Sequence, residues 1–230
     1  MSTTVTGLVL GLLLGMRHAL EPDHLTAVST LATENASGKR GALLGAFWGV
    51  GHSFALLVVG IVLTALHAEM PSRLADMFEM GVGAMLVVLG LRAVIRSRRL
   101  MTMGEPRPHA HRHRHHSHGG HHAHVHLGKR AFASRALVVG MVHGLAGSGA
   151  LTAMVLADLP SMASRLLYIV LFGAGSIFGM SLLSCGVGLP LARLGRHPRT
   201  RAILSAGAGA ISVALGIAWI WPCAFRIARF

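Results

Sequence analysis

The chain has 230 residues, of which 53% are hydrophobic and only 13% are charged, a composition that excludes an ordinary soluble domain. Its formal net charge of +13 raises the question of a polyanionic partner, but the basic residues lie between apolar segments rather than among aromatic residues, so nucleic-acid binding is not predicted. We therefore predict an all-α integral membrane protein that crosses a lipid bilayer several times.

Six apolar segments have the length of membrane-spanning helices. No basic region precedes the first segment, and we expect it to be retained rather than cleaved as a signal peptide. The segments divide the chain into a first three-helix unit (1–95), a hydrophilic His-rich loop (96–130) and a second three-helix unit (131–230). The predicted spans cover about residues 5–31, 41–66, 77–95, 131–156, 166–191 and 203–221.

The first span contains a polar cluster at residues 17–25. A charged side chain at membrane depth costs about 2.5–3.5 kcal/mol on insertion scales, which makes the cluster a candidate functional site. Pro22 has no N–H to donate to the carbonyl of His18, and we predict that the first helix is broken at Pro22. The break allows His18, Asp23 and His24 to converge on one ion. Imidazoles with few oxygen ligands favour Ni(II), Co(II), Cu(II) or Zn(II) over Mg(II) or Ca(II).

Arg17 and Glu21 lie in the same polar cluster and carry opposite charges. We expect them to pair and to hold the broken segment, which leaves Asp23 free for the ion. The alternative is a kinked helix whose histidines donate to neighbouring carbonyls. Broken helices at membrane depth usually line a cavity, and this favours the metal site.

The second span carries a histidine after two glycines, Gly49 and Gly51. Glycines at this spacing permit close approach of a neighbouring helix. We predict that His52 is a ligand or lines the ion pathway, and that Ser53 supports it.

The hydrophilic loop contains a low-complexity tract rich in histidine. The tract lacks the apolar residues needed to pack, so we expect it to be disordered and to bind transition metals weakly, as an auxiliary region. Its internal position argues against an expression tag. The histidines of the tract are His109, His111, His113, His115, His116, His118, His121, His122, His124 and His126.

The two three-helix units repeat one another at an offset of about 125 residues. Because each unit has an odd number of spans, the two halves are predicted to be inverted relative to one another, as in many secondary transporters. The alternative is chance similarity among glycine-rich helices. The matching stretches are 15–18 with 140–143, 25–27 with 151–153, 49–51 with 173–175, and 81–84 with 207–210.

The repeat relates His18 to His143 and the broken segment to the stretch around Ser148. Glycines and Ser148 stand in the second half where the first half has a carboxylate and a second imidazole. We predict His143 as a further ligand, with a core histidine bonded to a carbonyl as the alternative. Ser148 is predicted to belong to a wall of small residues.

Lysine and arginine are distributed unequally between the two sides of the predicted membrane domain. The links after spans one, three and five hold most of them, whereas the opposite side has only Arg73, Arg165, Arg226 and Arg229. The positive-inside rule therefore predicts a cytoplasmic His-rich loop and two external termini, in the cytoplasmic (inner) membrane of a bacterium.

Residues 17–25 resemble the signature of the nickel/cobalt transporter family, NiCoT, whose core is His, four residues, Asp and His. Residues 51–53 are similar to that family's Gly-His-Ser element. The chain has Glu21-Pro22 where the family usually has Asp-Ala, and six spans rather than eight, so it resembles the short relatives that are accessory to urease or are exporters. The resemblance implies a secondary transporter of Ni(II) or Co(II) whose substrate pathway includes His18, Asp23, His24 and His52.

The function we expect is uptake of nickel or cobalt by alternating access, with the metal ion as substrate and no cofactor. A cytoplasmic metallochaperone is a candidate partner, and efflux through the same site is an alternative function. A minor alternative is an intramembrane serine protease, because the sequence around Ser148 resembles the Gly-x-Ser-Gly segment of rhomboid proteases. The sixth span has no histidine to serve as the general base, so a non-enzymatic protein is predicted.

Overall fold

The computed structural model describes residues 2–32, 38–66, 70–103, 127–146, 161–195 and 197–229. Within these ranges every regular element is an α-helix. The helices are α1 (Ser2–His18), α2 (Pro22–Ala32), α3 (Gly38–Leu66), α4 (Ser72–Met103), α5 (Leu127–Leu145), α6 (Met162–Leu194) and α7 (Pro198–Ala228).

Four of these helices contain stretches long and apolar enough to cross a membrane. The first and fourth predicted spans correspond to the shorter apolar helices Gly7–His18 and Ala133–Leu145. The protein is therefore an all-helical, multi-pass membrane protein. The four long stretches are Arg40–Leu66, Ser72–Thr102, Met162–Leu191 and Pro198–Ala228.

The break in the first span lies just before Pro22 rather than at it. Helix α1 ends at His18, a turn covers residues 19–21, and Pro22 is the first residue of α2. Proline is favoured at this position because its missing N–H would have no partner in the first helical turn. The N–H of Glu21 donates to the carbonyl of His18 at 3.1 Å and closes the turn. Consequently Asp23–His24 belongs to the first turn of α2, not to unwound chain.

Two helices extend into the range predicted as the hydrophilic loop. Residues 96–103 continue α4 and residues 127–130 begin α5. Hydropathy identifies only the apolar part of a helix, whereas α4 continues through its arginines at 96, 98 and 99. The histidine tract from His109 to His126 lies outside the described residues.

Glycines mark the lines along which the helices pack. Gly11 faces the ring of Tyr168 and Gly15 faces the carbonyl of Phe172, so α1 and α6 run parallel. Contacts of the same kind show that α3 runs parallel to α5 and antiparallel to α6, and that α4 runs antiparallel to α7. Any side chain at position 15 would collide with the backbone of α6, which explains the glycine there.

The interhelical contacts occur in pairs related by the offset of about 125 residues. Gly15 packs on the carbonyl of Phe172, and Gly140 packs on the carbonyl of Trp48. In these pairs, a contact made by a glycine of one half recurs with a glycine of the other half at the corresponding position. Further exchanged pairs are Gly51–Leu137 with Gly175–Leu12, and Gly83–Gly216 with Gly209–Gly90.

The larger cluster of buried apolar side chains lies around α2. It includes Val28 of α2, Trp48 of α3, Leu86 of α4 and Met180 of α6, all fully buried. Because lipid tails are as apolar as these side chains, close van der Waals packing, more than the hydrophobic effect, stabilises such a cluster in a membrane. The packing holds the break between α1 and α2 against α3, α4 and α6.

Candidate metal centre

Four helices bring one aspartate and four histidines together. His18 is the last residue of α1, Asp23 and His24 lie in the first turn of α2, His52 lies in the middle of α3, and His143 lies near the end of α5. All five side chains are buried, with exposed fractions between 0% and 8%. These are the five residues proposed as metal ligands from the sequence, and the fold places them in one cluster, here called the histidine cluster.

His24 occupies the middle of the histidine cluster. Its ring centroid lies 4.1 Å from that of His143, 4.6 Å from that of His18 and 5.6 Å from that of His52. One ring nitrogen each from His18, His24 and His52 lie within 4.8 Å of one another. Trp48 stacks on His24 with the ring planes 8° apart and covers one side of it. Nitrogens of three imidazoles are therefore close enough to one another to be ligands of one ion.

Asp23 connects the two imidazoles of His24 and His143. Its Oδ1 accepts from the backbone N–H of His24 at 2.9 Å and lies 3.0 Å from His24 Nδ1, and its Oδ2 lies 2.8 Å from His143 Nε2. An ionised carboxylate only accepts hydrogen bonds, so both facing nitrogens carry the proton. The lone pairs of the neutral rings are then on His24 Nε2 and His143 Nδ1, where they are available to an ion.

Several ring nitrogens of the cluster have no hydrogen-bond partner in the part of the chain that the structure describes. Four of them are His24 Nε2, His143 Nδ1 and both ring nitrogens of His52, and a fifth, His18 Nδ1, makes no hydrogen bond to a described residue but lies 3.0 Å from Glu21 Oε1. A buried polar atom without a partner costs about 1–3 kcal/mol. Unpaired nitrogens grouped in this way are the donors that a transition-metal ion bound by neutral imidazoles would use.

The residues predicted from the sequence to support the ion site do not all make the expected contacts. The expected pair of Arg17 with Glu21 is not formed among the described residues, because the break after His18 turns Glu21 back over that ring, with Oε1 3.0 Å from Nδ1. This close contact is not a hydrogen bond, since His18 Nδ1 has no hydrogen-bond partner among the described residues. Ser53 donates to the carbonyl of Gly173 at 3.0 Å and so connects α3 to α6. Ser148 lies outside the described residues.

A second group of potential ligands, Asp76, Glu79 and Cys223, lies between the start of α4 and the end of α7. Arg226 donates to Asp76 Oδ1 from Nη2 at 2.6 Å and from Nε at 2.8 Å, and it reaches Glu79 Oε2 at 3.3 Å. Its guanidinium already supplies the positive charge, so the group is an ion pair that connects two helices. Sequence reasoning missed it, although two acids three residues apart in an apolar helix were a signal.

A protein-family model described as "NicO: High-affinity nickel-transport protein" matches residues 5–191. The chain belongs to the NicO family. This membership confirms the resemblance to nickel/cobalt transporters that the polar cluster suggested. It also confirms the prediction that the protein is a transporter rather than an enzyme. The predicted association with nickel transport and with the membrane is confirmed in the same way.

Relatives of this NicO-family protein include the urease accessory protein UreH of Bacillus sp. (strain TB-90). The two are 33% identical over 214 residues, which is 93% of this chain and 90% of UreH. Two chloroplast proteins of Arabidopsis thaliana, FOR GROWTH AND FERTILITY 1 and 2, are 23% and 24% identical over 77% and 91% of this chain. The chain spans 48% and 55% of their lengths. No solved structure matches the chain significantly.

Proposed function

We propose that this NicO-family protein is a secondary transporter that imports Ni(II), or Co(II), across the bacterial cytoplasmic membrane through the histidine cluster. One observation carries the proposal. Buried imidazoles from four helices surround one carboxylate inside an apolar bundle, and four of their ring nitrogens have no partner within the described ranges. Ionisable groups at membrane depth are usually functional, and these have the chemistry of a nickel or cobalt site.

In this proposal the members of the cluster have different tasks. His18, His24 and His52 exchange the waters of the incoming ion for imidazole nitrogen. Asp23 orients His24 through Nδ1 and balances the charge of the ion, as carboxylates do beside metal-binding histidines. His143 positions Asp23 and offers Nδ1 as a further ligand.

The proposed architecture is a pair of inverted three-helix repeats with six membrane passes, the first made by α1 and α2 together. The exchanged glycine contacts support it, because the same contacts recur with the halves reversed. The antiparallel directions of α4 and α7, and of α3 and α6, also agree with inversion. In such transporters the two repeats move against each other around a site between them, which gives alternating access.

Uptake of radioactive nickel at limiting concentration tests the proposal. Cells that express the wild type should accumulate nickel above an empty-vector control, and Asp23→Asn should abolish the difference. Asn keeps the shape but loses the charge and one of the two acceptor oxygens. Asp76→Asn is the matched control, since it removes a carboxylate outside the cluster, and it should stay within about two-fold of the wild type. Equal accumulation by the wild type and the vector, for both nickel and cobalt, would contradict the proposal.

Efflux is the second candidate function, and the histidine tract favours it. A tract on the cytoplasmic side, as the charge distribution predicts, is placed to collect excess metal from the cell. The uptake experiment distinguishes the two directions. An exporter would lower nickel accumulation below that of the vector, and Asp23→Asn would restore it.

A further inference from the structure

Two cavities are lined by residues of α2, α4 and α5, along what is here called the seam between these helices, and the first is also lined by the end of α7. The first has a volume of about 420 Å³ and is lined by His18, Asp23 and His143 of the histidine cluster. Glu79 and Arg226 line the same cavity near the start of α4 and the end of α7, and both are partly exposed. This cavity therefore connects the cluster with the end of the bundle at which α4 begins.

The second cavity lies further along the same three helices, toward the opposite end of the bundle. Its volume is about 270 Å³, and none of its lining residues belongs to the histidine cluster. It is lined by Thr30 and Leu31 of α2, Leu89 and Arg92 of α4, and Ser134, Arg135, Val138 and Val139 of α5. Its two arginines, Arg92 and Arg135, are exposed, and the cavity lies at the end of the bundle that holds the start of α5.

A thin apolar layer separates the two cavities. On α2, Ala27 lies four residues from Asp23 in the first cavity and four residues from Leu31 in the second, so the three share one face of the helix. On α4, Leu86 lies between the lining residues of the two cavities in the same way. Ala27 and Leu86 are both 0% exposed and belong to one packed cluster. The layer is about one helical turn thick, on the order of 5 Å.

We propose that the seam between α2, α4 and α5 is the path of the ion and that Ala27 and Leu86 close it. This inference rests on the proposed function and adds the route and the closed layer to it. The structure is then the state in which the cluster communicates with the α4-start end through the first cavity. A shift of α2 against α4 by less than one turn would open the layer and connect the cluster with the second cavity. Inverted-repeat transporters use rigid movements of this kind.

The path can be blocked in the folded protein by single cysteines. Ala218→Cys in the first cavity and Val138→Cys in the second are introduced with Cys185→Ser and Cys223→Ser, and the purified protein is placed in liposomes. A bulky methanethiosulfonate reagent modifies the cysteine after folding, and dithiothreitol removes it. Ala214→Cys is the matched control, one turn earlier than Ala218 on α7, because it lines a lipid-side groove with α4 away from the cluster.

We expect modification at either cavity to lower the initial rate of nickel uptake at least ten-fold, reversibly, and modification at Ala214→Cys to change it less than two-fold. Modified Val138→Cys should still bind nickel in equilibrium dialysis as the unmodified protein does, since the cluster is untouched. If the unmodified variants transport nickel but fully modified Ala218→Cys or Val138→Cys transports as fast as the control, the path is wrong and the proposed function stands. If no unmodified variant and no wild type transports nickel, the proposed function fails and the path with it.

Discussion

Of the residues in the histidine cluster, His52 has the most buried ring nitrogens without a hydrogen-bond partner in the described ranges. It is 0% exposed, and neither ring nitrogen has a hydrogen-bond partner within the described part of the chain. Each unpaired nitrogen costs about 1–3 kcal/mol, and a bound ligand would recover that free energy. A residue retained for folding alone would be better replaced by an apolar side chain of similar size.

His52→Leu should therefore separate stability from metal binding. We expect the thermal unfolding midpoint of the metal-free protein to be unchanged or higher, because an unpaired polar group is removed from an apolar site. The rise in midpoint that nickel causes in the wild type should disappear, since binding stabilises only a protein that binds. Thermal scans of the purified protein with and without nickel, at one scan rate, measure both effects.

Ser53→Ala is the neighbouring control for this comparison. It removes the hydrogen bond from Oγ to the carbonyl of Gly173 and should lower the free energy of unfolding by about 0.5–1.5 kcal/mol. The nickel-dependent rise should remain. A His52→Leu protein that nickel still stabilises as it does the wild type would remove His52 from the set of ligands.

Helices α1 and α6 are held together by the close approach of their backbones. Gly15 faces the carbonyl of Phe172, and the hydroxyl of Ser176 donates to the carbonyl of Gly15 at 3.3 Å. This contact lies one turn before His18, so the separation of the two helices also determines where the histidine cluster lies. Glycine at position 15 is required by the contact and not by the helix itself, which would prefer alanine.

Gly15→Ala should push α1 away from α6 and lower the free energy of unfolding by about 1–3 kcal/mol, the usual cost of overpacking. Gly7→Ala on the same helix is the control, because a Cβ there meets nothing within 4 Å. That control should be neutral or slightly stabilising. Thermal unfolding in detergent compares the two, and a Gly15→Ala protein as stable as Gly7→Ala would contradict the proposed contact.

Among the described residues, most arginines and lysines near helix ends lie at one end of the bundle, whereas the start of α1 and the end of α7 lie at the other. The start of α3, the end of α4 and the start of α5 share one end, since α3 runs parallel to α5 and α4 returns from the far end of α3. Together with the positive-inside rule, this arrangement predicts external termini and a cytoplasmic loop at residues 104–126.

Reporter fusions test the orientation. Alkaline phosphatase fused after Phe230 should be active and green fluorescent protein at the same position dark, whereas the same reporters inserted in the loop at residues 104–126 should give the opposite pattern. A variant that lacks the positive charges of Lys39, Arg40 and the loop arginines serves as the control. It should show a weaker preference for the predicted orientation in the membrane. Active phosphatase in the loop would reverse the predicted orientation.

The sequence by itself determined the helical membrane class, the break beside Pro22 and the set of five candidate ligands. These follow from local chemistry: apolar length, a proline without an N–H, and polar side chains too costly to place in a membrane without a task. His143 was reached through the repeat that the sequence predicts between the two halves. The start of α2 at Pro22 differs slightly from the expectation because the proline begins a helix more readily than it interrupts one.

Only the tertiary structure decided which groups meet across the chain. Asp23 bonds His143, Glu21 lies over His18 instead of pairing with Arg17, and Arg226 binds Asp76. Two of these contacts join residues more than a hundred positions apart, and the third depends on the angle between α1 and α2. The cavities and the apolar layer between them are likewise products of packing, because a path through a bundle belongs to three helices at once and to no segment of sequence alone.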